Sequence, residues 1–303
     1  MKIVHRAIIF PVISSLFLLL HISESRGELI PRVEPKPVEY VSTIADNFVD
    51  EELTYRVGYW VFSDVAEGVL SLKKESDTDY VATLKAYTTG AFWGIIKRSD
   101  VYISHMKLSP DGKRFLPSTF EKRIEIRGKT RYTLTKIDLE KGLVTWKSWG
   151  GGVEDKNGEA VIPPGNPADD PIVAFYNFRY GVYGKPEFGK EFKIFTSPKS
   201  DKPPHIYMRV AAIGEKGGKL KYNSASEYMV FATIEKELFG SQTGELEIVF
   251  GKDMVPLSAV VKDVLMFGDI TGKLIKVSAP LLLKSSPQIS TPAPLLPRPV
   301  GAD

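Results

Sequence analysis

From residue 52 onward, apolar and polar residues alternate with a period of two, in one stretch after another. In EELTYRVGYWVF, Leu53, Tyr55, Val57, Tyr59 and Val61 share one face, and Thr54, Arg56, Gly58, Trp60 and Phe62 share the other. Successive side chains of a strand point to opposite sides, so this pattern predicts β-structure and not helix. DVAEGVLSLKKE and DYVATLKAYTT continue it across a turn at Ser76-Asp77-Thr78-Asp79, and VYISHMKLSPDGKRFLPSTF reads as strand, Pro-Asp-Gly turn, strand. Residues 118–149 give three strands, with turns at Gly128-Lys129 and Glu140-Lys141-Gly142. Within them Phe120, Ile124 and Ile126 face one way, and Glu121, Arg123, Glu125 and Arg127 the other. One buried face and one wet face favour antiparallel pairing, with ion pairs across the wet side.

Three segments break the pattern. Residues 150–168 are rich in Gly, Pro and Asp and read as a loop carrying Glu154, Asp155 and Glu159. GAFWGII, 90–96, is an apolar interruption, suited to closing one end of a core or to gating it. DDPIVAFYNFRYGVYG, 169–184, reads as a helix. Asp170 suits the N-cap, because its carboxylate can accept the unpaired N–H groups of the first turn. Pro171 suits the first helical position and Gly181 the stop. Ile172, Phe175, Tyr176 and Arg179 recur at spacings of three and four, which predicts one apolar face with Phe175 and Tyr176 buried. Strands then resume in GKEFKIFTSP, HIYMRVAAIGE, SEYMVFATIEKE, ELEIVFGKD, VPLSAVVKDVLMFG and GKLIKVSA. The expected fold is mainly β: a large curved antiparallel sheet or incomplete barrel with one central helix packed on its concave face.

The ends carry other information. MKIVHR, the apolar run Ala7 to Leu20 and the polar HISESRG read as a secretory signal peptide over 1–27, the run being shorter than a bilayer span needs. An extended, Pro-punctuated segment is expected over 28–49, with a turn or short helix at its end. A single β-rich domain over 50–280 and a Pro-rich, disordered tail over 281–303 complete the expected organisation. The expected location is the periplasm or another exported compartment. No other apolar run could cross a membrane as a helix. The chain is 303 residues long with formal net charge +3. Removal of Lys2, Arg6, Arg26 and Glu24 with the signal leaves 37 basic and 36 acidic residues, so nothing global favours nucleic acid.

Little in the sequence points to catalysis. There is no cysteine, which excludes disulfides, thiolate nucleophiles and thiolate metal ligands. Of the four histidines, His5 and His21 leave with the signal, and His105 and His205 fit no ligand spacing. No G-x-S-x-G is present. GDITGK, 268–273, is one residue short of a phosphate loop and reads as a hairpin turn. No catalytic residue, metal or cofactor is expected, and a carboxylate pair for glycan hydrolysis is the weakest alternative.

Several residues resemble an uncharacterised bacterial exported family, the domain of unknown function 3108, over roughly 50–278. An E-x-L-x-Y-x-V strand and a small-residue turn into G-x-x-x-L correspond to Glu52, Leu53, Tyr55, Val57, Ala66, Gly68, Leu70 and Leu72. The Asp-Pro, aromatic helix and Arg correspond to Asp170, Pro171, Phe175, Tyr176 and Arg179, and late elements to Lys252–Pro256 and Gly272–Leu274. This chain departs in its longer glycine-rich segment, 150–168. The resemblance implies a fold similar to the periplasmic lipoprotein carriers, whose incomplete barrel surrounds an apolar cavity. It implies a non-catalytic envelope protein that binds an apolar ligand such as a lipid or a lipoprotein acyl chain. Trp60, Phe92, Trp93, Ile95, Phe175, Tyr176 and Arg179 are then the residues expected to line or gate that cavity. The alternative partner is an envelope protein, met by the Pro-rich tail in a scaffold or assembly role.

Overall fold

The structure, a computed structural model, describes residues 43–278 apart from 60, 91–93, 95, 198–204 and 266. The expected signal peptide and Pro-rich tail, and Trp60, Phe92, Trp93 and Ile95, lie outside the described residues. No helix among the described residues is long and apolar enough to cross a membrane.

The chain opens with α1 (Ile44–Phe48) and then runs through eight strands: β1 (Glu52–Tyr59), β2 (Phe62–Lys74), β3 (Asp79–Thr88), β4 (Arg98–Leu108), β5 (Phe115–Ile126), β6 (Lys129–Asp138), β7 (Leu143–Gly150) and β8 (Val153–Val161). A helix, α2 (Pro171–Tyr180), precedes six more: β9 (Glu191–Phe195), β10 (His205–Val210), β11 (Ser226–Thr233), β12 (Glu245–Gly251), β13 (Pro256–Val264) and β14 (Gly268–Ser278). All fourteen form one antiparallel sheet in the order β8-β7-β6-β5-β4-β3-β2-β1-β14-β13-β12-β11-β10-β9. Two meanders are thus joined where β1 pairs with β14, from Glu52↔Ser278 to Tyr59↔Ile270. The edges β8 and β9 do not pair with each other, so the sheet is not closed into a barrel.

Local chemistry accounts for the hairpins. Ile126 pairs with Lys129 across the two-residue turn Arg127-Gly128, whose φ angles of 51° and 77° suit the right-handed twist of the flanking strands. Arg127 therefore sits in the turn and not on the wet face of β5. The expected loop over 150–168 is half strand. β8 pairs with β7 from Gly150↔Val153 to Leu143↔Val161, and is an edge strand. Its residues are exposed except for the half-buried Gly158 and Ala160, so neither face carries the apolar alternation that announces a strand. Charge protects the edge from further pairing: Arg131 meets Asp155 at 2.9 Å and Lys147 meets Glu154 at 3.4 Å. Gly158 lies beneath the Trp146 ring, where a Cβ would overlap the indole. GDITGK is not a turn either. It lies within β14, with Gly272 between Val57 and Ala259, and the hairpin closes earlier at Val264↔Gly268.

α1 ends the segment expected to be extended. Thr43 and Asp46 form a reciprocal capping box, and Ile44, Ala45 and Phe48 are buried. α2 begins at Asp170, which accepts from the N–H groups of Ile172 (2.8 Å) and Val173 (3.0 Å), and stops at Gly181 with φ 87°. The expected single apolar face is wrong in extent. Ile172, Val173, Ala174, Tyr176, Asn177, Phe178 and Arg179 are all buried, and they spread well beyond one face, with half-buried Pro171 and Phe175 on the remaining side. Phe175, expected to be largely buried, is only partly so. The helix is the shared wall of two cores. Ile172, Val173 and Tyr176 pack with Tyr80, Tyr102, Met106 and Phe115 of β3–β5, while Ala174 and Phe178 pack with Phe192, Val210 and Phe250 of β9–β12.

Candidate functional site

Two places carry concentrated chemistry: the buried surroundings of α2, and the face of β4–β7 turned away from it.

Around α2, buried polar groups are matched by built partners. Arg179 donates from Nη1 and Nη2 to the two oxygens of Glu51 (2.6 and 2.7 Å) and from Nε to the carbonyl of Met254 (2.8 Å). Its guanidinium lies 4.5 Å from the centre of the Phe48 ring. A guanidinium at 2% exposure needs this pairing, because a buried lone charge is costly. The contact ties α2 to the start of β1 and to the β12–β13 turn, where Met254 adopts φ 54°. Asn177 copies a strand partner: it accepts from the Phe115 N–H and donates to the Phe115 carbonyl, both at 3.0 Å. Asp169 accepts from Arg114 (2.6 Å), Asn177 (3.3 Å) and the Tyr183 hydroxyl.

Asp170 is both cap and acid. Its second oxygen accepts from Ser104 at 2.6 Å, and burial pushes its carboxyl up to about 7 against the hydrogen bonds that favour the anion. Asp169 is also raised, by burial, with Arg114 opposing. Because the folded pKa of Asp170 lies above that of the unfolded chain, its contribution to stability is complete below about pH 4 and is lost as pH rises through about 7. An Asp170→Asn chain keeps a good cap without the charge. Thermal melts across this window should show the native chain losing stability relative to the variant as pH rises. Parallel curves would show that the charge of Asp170 has no bearing on folding.

The expected cavity residues separate accordingly. Tyr176 and Arg179 come together against Phe48, with Phe175 at their edge, beside the cluster of buried side chains from β3–β5. Two clefts lie elsewhere. They measure about 460 and 430 Å³ and share Arg123, Thr130 and Tyr132. Register explains them. Val101 of β4 pairs with Arg123 of β5, Arg123 with Tyr132 of β6, and Tyr132 with Trp149 of β7. The alternate residues Tyr102, Ser104 and Met106 are buried on the helix side, so this row lies on the outer face. The rings of Tyr132 and Trp149 lie 5.2 Å apart at 31°. Tyr132 donates to Glu121 at 3.0 Å, and burial, then this bond, pushes its phenol up to about 12.

The ion pairing expected for this wet face is not its organising contact, since Glu121 is engaged by a phenol. Glu121 and Glu125 lie four residues apart on one strand, with their α-carbons about 13 Å apart along it. Among the described residues no group of three or more His, Asp or Glu is placed to hold a metal. His105 stands on β4, 3.3 Å from Glu75, and His205 on β10, with its ring against Phe195.

No family model matches the chain, and no curated protein does. Among solved structures it is similar to a β-barrel-like protein of a domain of unknown function, DUF1849, from Brucella abortus. The two share 12% identity over 77% of this chain and 98% of that one, with a TM-score of 0.44.

Proposed function

We propose that this is an exported, non-catalytic binding protein of the cell envelope, and that its ligand lies on the outer face of β4–β7. The observation that carries the reading is the Tyr132–Trp149 ring pair, half-buried in a cleft on the outer face of the sheet. Half-apolar clefts with a few polar groups are the usual seats of small ligands. The basic start and the apolar run Ala7 to Leu20 support export.

The helix side is the poorer seat for an apolar ligand. Phe115 of β5 and Phe250 of β12 both contact α2, at ring distances of 6.4 Å from Tyr176 and 5.9 Å from Phe178. In a flat sheet those strands, seven places apart in the order, would be about 34 Å from each other. A helix is only about 10–12 Å across. On this reading the sheet therefore curls round α2, which occupies its concave face as core and leaves a carrier cavity little room. The protein-contact alternative rests on the tail, outside the described residues.

Native mass spectrometry of protein taken from its own envelope should show a bound small molecule. That molecule should be lost from a folded Tyr132→Ala, Trp149→Ala double variant. Its retention in that variant, or its absence from the native protein, would overturn the reading.

A further inference from the structure

We propose that the outer cleft binds an uncharged oligosaccharide. The inference rests on the outer face of β4–β7 being the binding site, and adds the chemical class of what it holds.

Three features of the lining favour a sugar over an acyl chain. First, Tyr132 and Trp149, with ring centres 5.2 Å apart at 31°, lean on each other and bring an aromatic surface to the second cleft. Flat aromatic surface with a polar rim suits a ligand that is apolar on one face and hydroxylated at its edges. Second, Glu121, Arg123 and Glu125 alternate along the outward side of β5 and line the adjoining cleft, which shares Arg123, Thr130 and Tyr132 with the one that Trp149 lines. A carboxylate only accepts hydrogen bonds and a guanidinium only donates them. Hydroxyls do both, so neighbouring hydroxyls of one sugar can engage this alternating comb. An alkyl chain laid over the same three groups would strip their water and return nothing. Third, two carboxylates flank one guanidinium, giving the comb a formal charge of −1. At this comb a phosphate headgroup or an acidic sugar would meet net repulsion, which favours a neutral group there.

The dimensions agree. The row Val101, Arg123, Tyr132, Trp149 crosses four adjacent strands, a span of about 14 Å at the usual strand spacing. That suits a short oligosaccharide lying across the strands, with the aromatic pair under one ring and Arg123 and the glutamates beside the next. Glu121 is already oriented by the Tyr132 hydroxyl, so part of the comb is ordered before a ligand arrives. The role that this lining supports is retention of the ligand.

The full chain after export should be titrated calorimetrically with cello-oligosaccharides and chito-oligosaccharides, and in parallel with a long-chain fatty acid. Saccharide binding that weakens at least about tenfold in Trp149→Ala and in Arg123→Ala, about 1.4 kcal/mol each, is the expected result. Circular dichroism melts confirm that these exposed-face variants fold. Trp146→Phe, which alters the neighbouring indole on the opposite face, should bind normally. Fatty acid binding that requires Trp149, with no saccharide binding, would overturn the oligosaccharide inference and leave the outer-face site standing. Saccharide binding indifferent to Trp149 and Arg123 would overturn the inference, and so would binding of neither ligand class.

Discussion

Arg179→Met should lower the stability of the protein by about 3–5 kcal/mol, because it leaves the Glu51 carboxylate buried without its partner. Glu51 is 4% exposed and accepts both terminal nitrogens of Arg179, so no solvent stands ready to replace them. The variant also frees the Met254 carbonyl, which is held at 2.8 Å. Denaturant titration followed by fluorescence measures the loss. A double variant, Arg179→Met with Glu51→Leu, removes both charges and should recover much of it, since buried ion pairs often stabilise no more than an apolar replacement of similar volume. A single variant within 1 kcal/mol of the native chain would show that the pair does not hold α2 in place.

Tyr176→Ala should cost a similar amount, about 3–5 kcal/mol, through lost burial and the cavity left behind. The ring is fully buried and touches Phe48, Phe115 and Phe175. Its hydroxyl has no hydrogen-bond partner among the described residues. Tyr176→Phe should therefore be neutral or stabilising, because a buried hydroxyl without a partner already carries its desolvation cost. The contrast isolates packing from polarity. Phe175→Ala, at a partly exposed position, should cost less than Tyr176→Ala. Equal losses for both alanine variants would mean that Phe175 is as deeply packed as its neighbour.

Much of this protein follows from local chemistry. Leu53, Leu70 and Leu72 fall on a buried face because a strand has a period of two, and the Pro-Asp-Gly and Glu140-Lys141-Gly142 turns fall between strands. Asp170, Pro171 and Gly181 mark the bounds of α2 because each relieves a backbone group that a helix end leaves unpaired. The outer cleft was missed in the sequence, where Tyr132 and Trp149 stand out by nothing but their distance from a turn. Counting outward from the turn at 140–142 sets Tyr132 opposite Trp149, a cross-strand pairing that the identity of either residue alone does not reveal. β8 was illegible because an exposed edge strand buries neither face and so has no alternation to show.

Tertiary structure decided the rest. The pairing of β1 with β14 joins the two ends of the described chain, and no turn chemistry links residues so far apart. The burial of α2 on more than one face was likewise decided by what surrounds it. Ile172, Phe175, Tyr176 and Arg179 suggest a single stripe, yet Asn177 and Phe178 are buried too, because β5 meets one flank of the helix and β9–β12 the other. A side chain's periodicity reports one partner surface at a time. Which surfaces meet depends on contacts between residues remote in sequence, and for those the chain carries no local signal.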